Sequence, residues 1–423
     1  MQVRKQLRSL AFFLCACLSV LSAISLSAAA QTPPANEWLW MGGSNMASNG
    51  PPSAPGVYGT LGTPAAANIP GTRWGASDWT DSSGDFWLFG GHGVDGGGIY
   101  GYLNDLWRFS PSTGKWTWMS GSNTVAHPPQ TDVQDCETGY FDCGQPGVYG
   151  TLRTPAPANI PGGRTTATSW TDNSGNLWLF GGYGFGAFGT GGDGELNDLW
   201  MYNPTTNEWT WMGGANTAPV DCNGWPGVYG TLGTPAAGNA PGGREGSVIW
   251  TDGGDNLWLF GGWGFTVNFP GYLNDLWKFD PSSKEWAWMA GSSTANPTGV
   301  HGELGTPSAG TVPGGRWVAT SWTDSSGNLW LFGGQGYDAN SYFGYLNDLW
   351  ELNISTNPVQ WTWMGGSSAI PPSCAGKEVV VGGTDFGLLN CGQPGLYGSI
   401  GIPDATNVPG GRDTDLALRM RIS

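Results

Sequence analysis

Of 423 residues, 73 are Gly, 30 Pro and 26 Trp, and 16 basic residues stand against 32 acidic ones, a formal net charge of −16. Disordered chains are poor in aromatics and rich in charge, whereas this chain is 13% aromatic and only 11% charged; Gly and Pro at this density also exclude a mainly helical fold. What remains is an all-β protein of short aromatic strands and Gly/Pro turns, too acidic to favour nucleic acid, heparin-like polyanions or anionic membranes as partners.

The chain opens with Arg4, Lys5 and Arg8, an apolar run from about Leu10 to Leu26, and Ala28-Ala29-Ala30 before Gln31. This layout predicts a secretory signal peptide over residues 1–30. A membrane anchor and lipidation at Cys17 are the alternative readings. The run is short for a span, which needs about 20 residues. No membrane span is expected in the mature chain, 31–423, which is predicted to be secreted or to stay in the periplasm or cell envelope. An exported chain is free to form disulfides. Cys136 and Cys143 lie close together in DCETGYFDC, Cys374 and Cys391 share one connector, and Cys143 and Cys391 both precede GQPG. These four are the disulfide candidates. Cys222 precedes a similar PGVYG and has no evident partner, and the pairing is open.

A lone W-L-W-M at 36–41 comes next, and then a repeat that dominates the chain. WTDSSGDFWLFGG begins at Trp79, WTDNSGNLWLFGG at Trp170, WTDGGDNLWLFGG at Trp250 and WTDSSGNLWLFGG at Trp322. Each leads to LNDLW, ending at Trp107, Trp200, Trp277 and Trp350, and then to a W-x-W-M pair. PG(G/T)R precedes each unit at Arg73, Arg164, Arg244 and Arg316, with a fifth copy at Arg412. Each unit reads as four short strands. Strand a runs from the Arg to W-T-D, and a tight Asp-to-Gly turn follows. Strand b is LWLF, apolar on both faces as expected between two sheets. Strand c is DLW with the next two residues, and strand d is W-T-W-M, with its two Trp on one face. The units cover about 73–119, 164–212, 244–289 and 316–364. Residues 412–423 begin a further unit that the text after Arg412 does not continue.

The paired Gly after strand b, the aromatic of strand c and the Trp of strand d resemble kelch repeats, such as those of the galactose-oxidase central domain, over nearly all of residues 36–412. The resemblance implies a kelch-type β-propeller with one four-stranded sheet per blade: four complete blades, an incomplete fifth, and long d–a connectors on one face. Kelch repeats run to about 50 residues, so these longer units carry their excess between strand d and the next strand a. Of the 26 Trp, 22 fall at periodic positions and read as packing between sheets. Trp74, Trp225, Trp263 and Trp317 do not.

In such a meander the a–b and c–d turns lie on one face, and the b–c loops and d–a connectors on the other. All the variation gathers on the second face, and variable loops on a rigid scaffold are where binding sits. The candidate binding residues are therefore His92, Tyr183, Trp263 and Gln335, which occupy one variable position after the Gly pair. Arg73, Arg164, Arg244 and Arg316 at the start of strand a join them. A charge-assisted bond from each Arg to backbone carbonyls or to a neighbouring unit's Asp is the structural alternative. The near-identical connector text PGVYGTLGTP reads as a structural cap, with His301 standing where the other copies carry Tyr.

No catalytic residue, cofactor or metal is expected. His92, His127 and His301 lie in different units, unlike the clustered imidazoles that copper prefers. No nucleophile motif is present. The Asp-Ser-Ser-Gly-Asp segment lacks the bidentate Glu of a calcium loop. The reading is an exported, non-catalytic binding or scaffold module whose partner is an extracellular glycan or protein. A carbohydrate-active enzyme on the same scaffold, an oxidase or lyase, is one alternative, and a structural envelope protein the other.

Overall fold

A computed structural model of the chain describes residues 40–43, 54–126, 143–187, 193–219, 224–267, 269–371, 380–381, 384–385, 392–399, 404 and 406–412. The expected signal peptide, His127, Cys136, Cys222, Cys374 and Cys391 lie outside these residues. The chain divides into two compact units, Met1–Ser44 and Asn45–Ser423. In the first, residues 40–43 carry no strand, and the rest of the expected strand at 36–41 is outside the described residues.

The second unit is all-β, with no helix among its described residues. The first repeat contains β1 (Arg73–Trp74), β2 (Ser77–Thr80), β3 (Phe86–Phe89), β4 (His92–Val94), β5 (Tyr100–Tyr102), β6 (Leu106–Ser110) and β7 (Lys115–Ser120). The second contains β8 (Arg164–Thr165), β9 (Thr168–Thr171), β10 (Leu177–Phe180), β11 (Tyr183–Phe185), β12 (Asp193–Glu195), β13 (Leu199–Asn203) and β14 (Glu208–Gly213). In the third, β15 (Arg244–Glu245) and β16 (Val248–Thr251) precede two long strands, β17 (Leu257–Phe265) and β18 (Pro270–Asp280), and then β19 (Glu285–Ala290). The fourth returns to the first pattern with β20 (Arg316–Trp317), β21 (Thr320–Thr323), β22 (Leu329–Phe332), β23 (Gln335–Tyr337), β24 (Phe343–Tyr345), β25 (Leu349–Asn353) and β26 (Gln360–Gly365).

Each repeat builds a four-stranded antiparallel main sheet, ordered β2-β3-β6-β7 in the first. The turn between its first two strands forms because an Asp side chain mimics backbone. Asp172 Oδ1 accepts from the amides of Ser174 and Asn176 at 3.0 and 2.8 Å, and Oδ2 from the Trp178 indole at 2.8 Å. Two elements differ from the sequence expectation. Strand a is not continuous: the residue after each two-residue Arg strand has positive φ (Gly75, Thr166, Gly246 and Val318), which breaks the strand. These kinks bond in series, with Thr166 N donating to Gly75 O, Gly246 N to Thr166 O and Val318 N to Gly246 O at 2.7, 3.0 and 2.9 Å. The b–c stretch is not an irregular loop either. It folds as a hairpin that pairs with the Arg strand into a small three-stranded sheet, ordered β1-β4-β5. In the third repeat the small and main sheets merge through β17 and β18.

The core lies between successive main sheets. Trp79, Trp87, Phe89 and Leu106 of the first repeat pack on Leu177, Leu179, Trp200, Tyr202 and Trp209 of the second. The same arrangement joins the second to the third and the third to the fourth. Large aromatics bury the most area per residue, which accounts for the periodic Trp.

Candidate functional site

The four arginines that open the small sheets are enclosed. The side chains of Arg164 and Arg244 have no exposed surface, and those of Arg316 and Arg73 have 1% and 5%. Arg244 donates to Gly242 O and Gly261 O, and its two terminal nitrogens fork onto Asp275 at 2.7 and 2.8 Å. Arg73, Arg164 and Arg316 repeat this fork on Asp105, Asp198 and Asp348, at 2.6–2.8 Å. The Asp belongs to the arginine's own repeat and not to a neighbour. It is the Asp of LNDLW, and it also accepts from its own repeat's Trp indole and from the connector Tyr, as Asp275 does from Trp277 at 2.7 Å and Tyr229 at 2.8 Å. Burial raises the Tyr229 hydroxyl pKa and Asp275 reinforces the rise, so the hydroxyl stays a donor. In the fourth repeat His301 takes the Tyr place, with Nε2 at 3.3 Å from Asp348, an ion-pair distance without hydrogen-bond alignment. Burial alone would raise the Asp348 pKa, but the Arg316 guanidinium more than offsets this and holds it low. These clamps fix the small sheet to the main one and leave the guanidinium groups almost no surface for a ligand.

His92, Tyr183, Trp263 and Gln335, by contrast, are half-buried and occupy one register position. Each is flanked directly by two cross-strand partners: Trp74 and Tyr102 for His92, Thr165 and Glu195 for Tyr183, Glu245 and Tyr272 for Trp263, Trp317 and Tyr345 for Gln335. Side chains directly opposite on antiparallel strands share a face. These triplets join from repeat to repeat. Tyr102 lies 5.8 Å from Tyr183 between ring centroids, the Trp263 indole interacts with Glu195, and Tyr272 lies 5.9 Å from Tyr337, which is two residues beyond Gln335 on the same strand. Within the first repeat His92 stacks on Tyr102 at 4.3 Å and 10°. The result is a rim of aromatic and acidic side chains along the three small sheets and the merged sheet of the third repeat.

Its polar centre is Glu195. This residue is 6% exposed, and its Oε2 has no hydrogen-bond partner among the described residues. Burial, with the charges of Glu245 and Asp193 adding to it, pushes its pKa up to about 7 against the pull of a backbone amide and Trp263. Glu245 accepts from the Thr166 hydroxyl across the repeat boundary. Burial lowers the His92 pKa to about 4 despite the opposing charge of Asp193, so this imidazole is neutral at physiological pH and presents one donor and one acceptor. The half-buried aromatic members of this rim can stack on an apolar ligand face, whereas Glu195 itself is enclosed. Among the described residues no group of three His, Cys, Asp or Glu side chains could hold a metal ion.

Sequence reasoning placed the first residue of each triplet but missed Glu195, Glu245 and Tyr272. A signal was present: GYLNDLW in three repeats becomes GELNDLW in the second, at Glu195. The connectors end beside the same residues, through parallel bridges from Gly144 to Tyr102, Gly224 to Glu195 and Gly392 to Tyr345. Cys143, next to the first bridge, is 1% exposed and disulfide-bonded.

No family model matches the chain, and no curated protein matches it. Among solved structures, one titled "Structure of YjhT" covers 70% of this chain and 86% of its own, at 14% identity and a TM-score of 0.35. No helix among the described residues is long and apolar enough to cross a membrane.

Proposed function

We propose that the protein is an exported kelch-type β-propeller with four complete blades and an incomplete fifth, acting as a non-catalytic module that binds an extracellular glycan. Residues 1–30 are its signal peptide, and the mature chain works in the envelope or outside the cell. The disulfide candidates Cys136, Cys143, Cys374 and Cys391 fall in the two longest connectors. The observation that carries the binding reading is the rim: one register position differs in every repeat, as His92, Tyr183, Trp263 and Gln335, while the scaffold around it is near-identical. Aromatic faces beside a carboxylate suit a sugar, whose apolar face stacks while its hydroxyls donate. The buried arginines are left out of the site.

A glycan array of the mature protein, with Trp fluorescence as a second readout, tests this. Saturable binding to a defined sugar, weakened at least tenfold in Trp263→Ala, is the expected result. Binding unchanged in that variant places the site elsewhere, and a well-folded protein that binds no glycan points to a protein partner or a structural role. Glu195, with its pKa near 7 beside Glu245 and Asp193, favours a second reading, a carbohydrate-active enzyme with a carboxyl group poised for proton transfer. Turnover of the bound sugar that disappears in Glu195→Gln, with binding retained, would establish it.

A further inference from the structure

The connectors are near copies of one another, so a place where one copy departs from the rest stands out. Two departures in the connector into the fourth repeat are Thr298 and Thr311. Thr298 replaces the proline at Pro55, Pro146, Pro226 and Pro394, and Thr311 the asparagine at Asn68, Asn159, Asn239 and Asn407. The fourth repeat itself departs at the turn between β25 and β26. Six residues separate the paired Asn353 and Gln360, where four separate Ser110 from Lys115, Asn203 from Glu208 and Asp280 from Glu285. The longer turn puts Val359 where the other repeats carry Gly114, Asn207 and Lys284, each with positive φ. Val359 is buried in the core between the third and fourth sheets.

These three departures meet at one place. The asparagine of the other connectors bridges two carbonyls. Asn159 Nδ2 donates to Thr154 O and Trp209 O at 2.9 and 3.1 Å, and Asn68 and Asn239 make the same pair of bonds at 2.9–3.1 Å. Thr311 has a shorter side chain. Its hydroxyl keeps the strand carbonyl, Trp361 O, at 2.8 Å, and its other bond goes to Ser308 O at 2.6 Å. At this point the joint holds a pocket of about 330 Å³, lined in part by Thr298, Thr311, Val312, Val359, Trp361 and Ser292. Every lining residue comes from the third repeat, the fourth repeat or the connector between them, so both sheets of the joint are in place. No rim side chain lines the pocket, and no lining side chain is charged.

Small-molecule pockets begin at about 300 Å³, so the space suits one sugar ring. The hydroxyl oxygens of Ser292, Thr298 and Thr311 accept hydrogen bonds, and Val312 and Val359 add apolar surface. A charged ligand would lose hydration with no opposite charge to pair with, which is costly. We propose that this pocket binds a neutral polyol the size of one hexose, whose hydroxyls donate to Ser292, Thr298 and Thr311 while its C–H surface packs on Val312 and Val359. The site is independent of the rim and of the reading placed on it.

Methyl NMR of the full chain with labelled valines tests this. Glucose, galactose and mannose are the neutral probes, and glucuronate is the charged control. At least one neutral hexose is expected to shift the Val312 and Val359 methyl signals saturably, and glucuronate to leave them in place. Thr311→Asn and Thr298→Pro install the residues of the other connectors, so each is expected to fold and to weaken binding at least tenfold. If one of them loses its methyl dispersion, the other decides. Signals that no neutral hexose moves, an equal response to glucuronate, or affinity unchanged in a folded variant would each overturn the proposal. A hexose that moves the Trp263 indole signal alone would overturn the pocket and leave the rim standing.

Discussion

The Arg–Asp clamp makes the guanidinium worth more to folding than its exposure to solvent would suggest. A buried ion pair gains little over an apolar pair, but removing one partner strands a charge and costs about 3–5 kcal/mol. Arg244→Ala leaves Asp275 buried with only the Tyr229 and Trp277 donors. It is therefore expected to lower the unfolding free energy by about 3–5 kcal/mol in urea titration. Glu195 works in the opposite sense. Its folded pKa of about 7 exceeds that of an unfolded carboxyl, so folding favours the protonated form. That contribution is complete below the unfolded value of about 4.3 and is lost as pH rises through about 7. Glu195→Gln is expected to be more stable than the wild type at pH 8 and to lose the part of the Tm decline that the wild type shows between pH 5 and 8. His92, held near 4 when folded, contributes stability above the unfolded value of about 6.5 that is lost as pH falls toward 4. The two slopes oppose each other in one window, so NMR titration of each side chain separates them.

The small three-stranded sheets depend on backbone conformations that most residues avoid. Gly181 and Gly182 of LFGG have φ of 63° and 90°, and Gly182 N donates 2.9 Å to Arg244 O of the next repeat. A Cβ at Gly182 would lie 2.6 Å from Thr165 O. Gly182→Ala is expected to cost at least about 1–3 kcal/mol, the range for a residue held in a sparsely populated region, read as a drop in thermal midpoint with binding at the rim weakened as well. The sequence announces this position plainly, because Gly-Gly recurs in all four repeats, and it announces the Asp turns equally well. It does not announce the kink that splits strand a. Two of the four kinked residues are Thr166 and Val318, which as β-branched residues would be expected to extend. Their positive φ is imposed by the bonds running from repeat to repeat. The hairpins were hidden for a related reason: their third strand is a two-residue Arg segment, too short to show a period. The clamp joins residues 32 apart in the first repeat, Arg73 and Asp105, and no local pattern marks that pairing. Glu195 was visible only as one departure from a repeated Tyr, and its role depends on Trp263 from the next repeat.

Across the whole chain, stability comes from sheet-on-sheet joints, and the repeat allows one residue type to be compared inside and outside a joint. Trp79 and Trp322 occupy equivalent positions, opposite Trp87 and Trp330 in identical register. Trp79 is 4% exposed and bonds to the next sheet, whereas Trp322 is 42% exposed. Truncating a buried Trp costs about 3–5 kcal/mol, and an exposed one away from special features about 0.5 kcal/mol or less. Trp79→Ala is therefore expected to lower the unfolding free energy by about 3–5 kcal/mol and Trp322→Ala by about 0.5 kcal/mol or less. Denaturant midpoints of the two variants check this, and a cost at Trp322 equal to that at Trp79 would mean that the fourth sheet is covered as fully as the first.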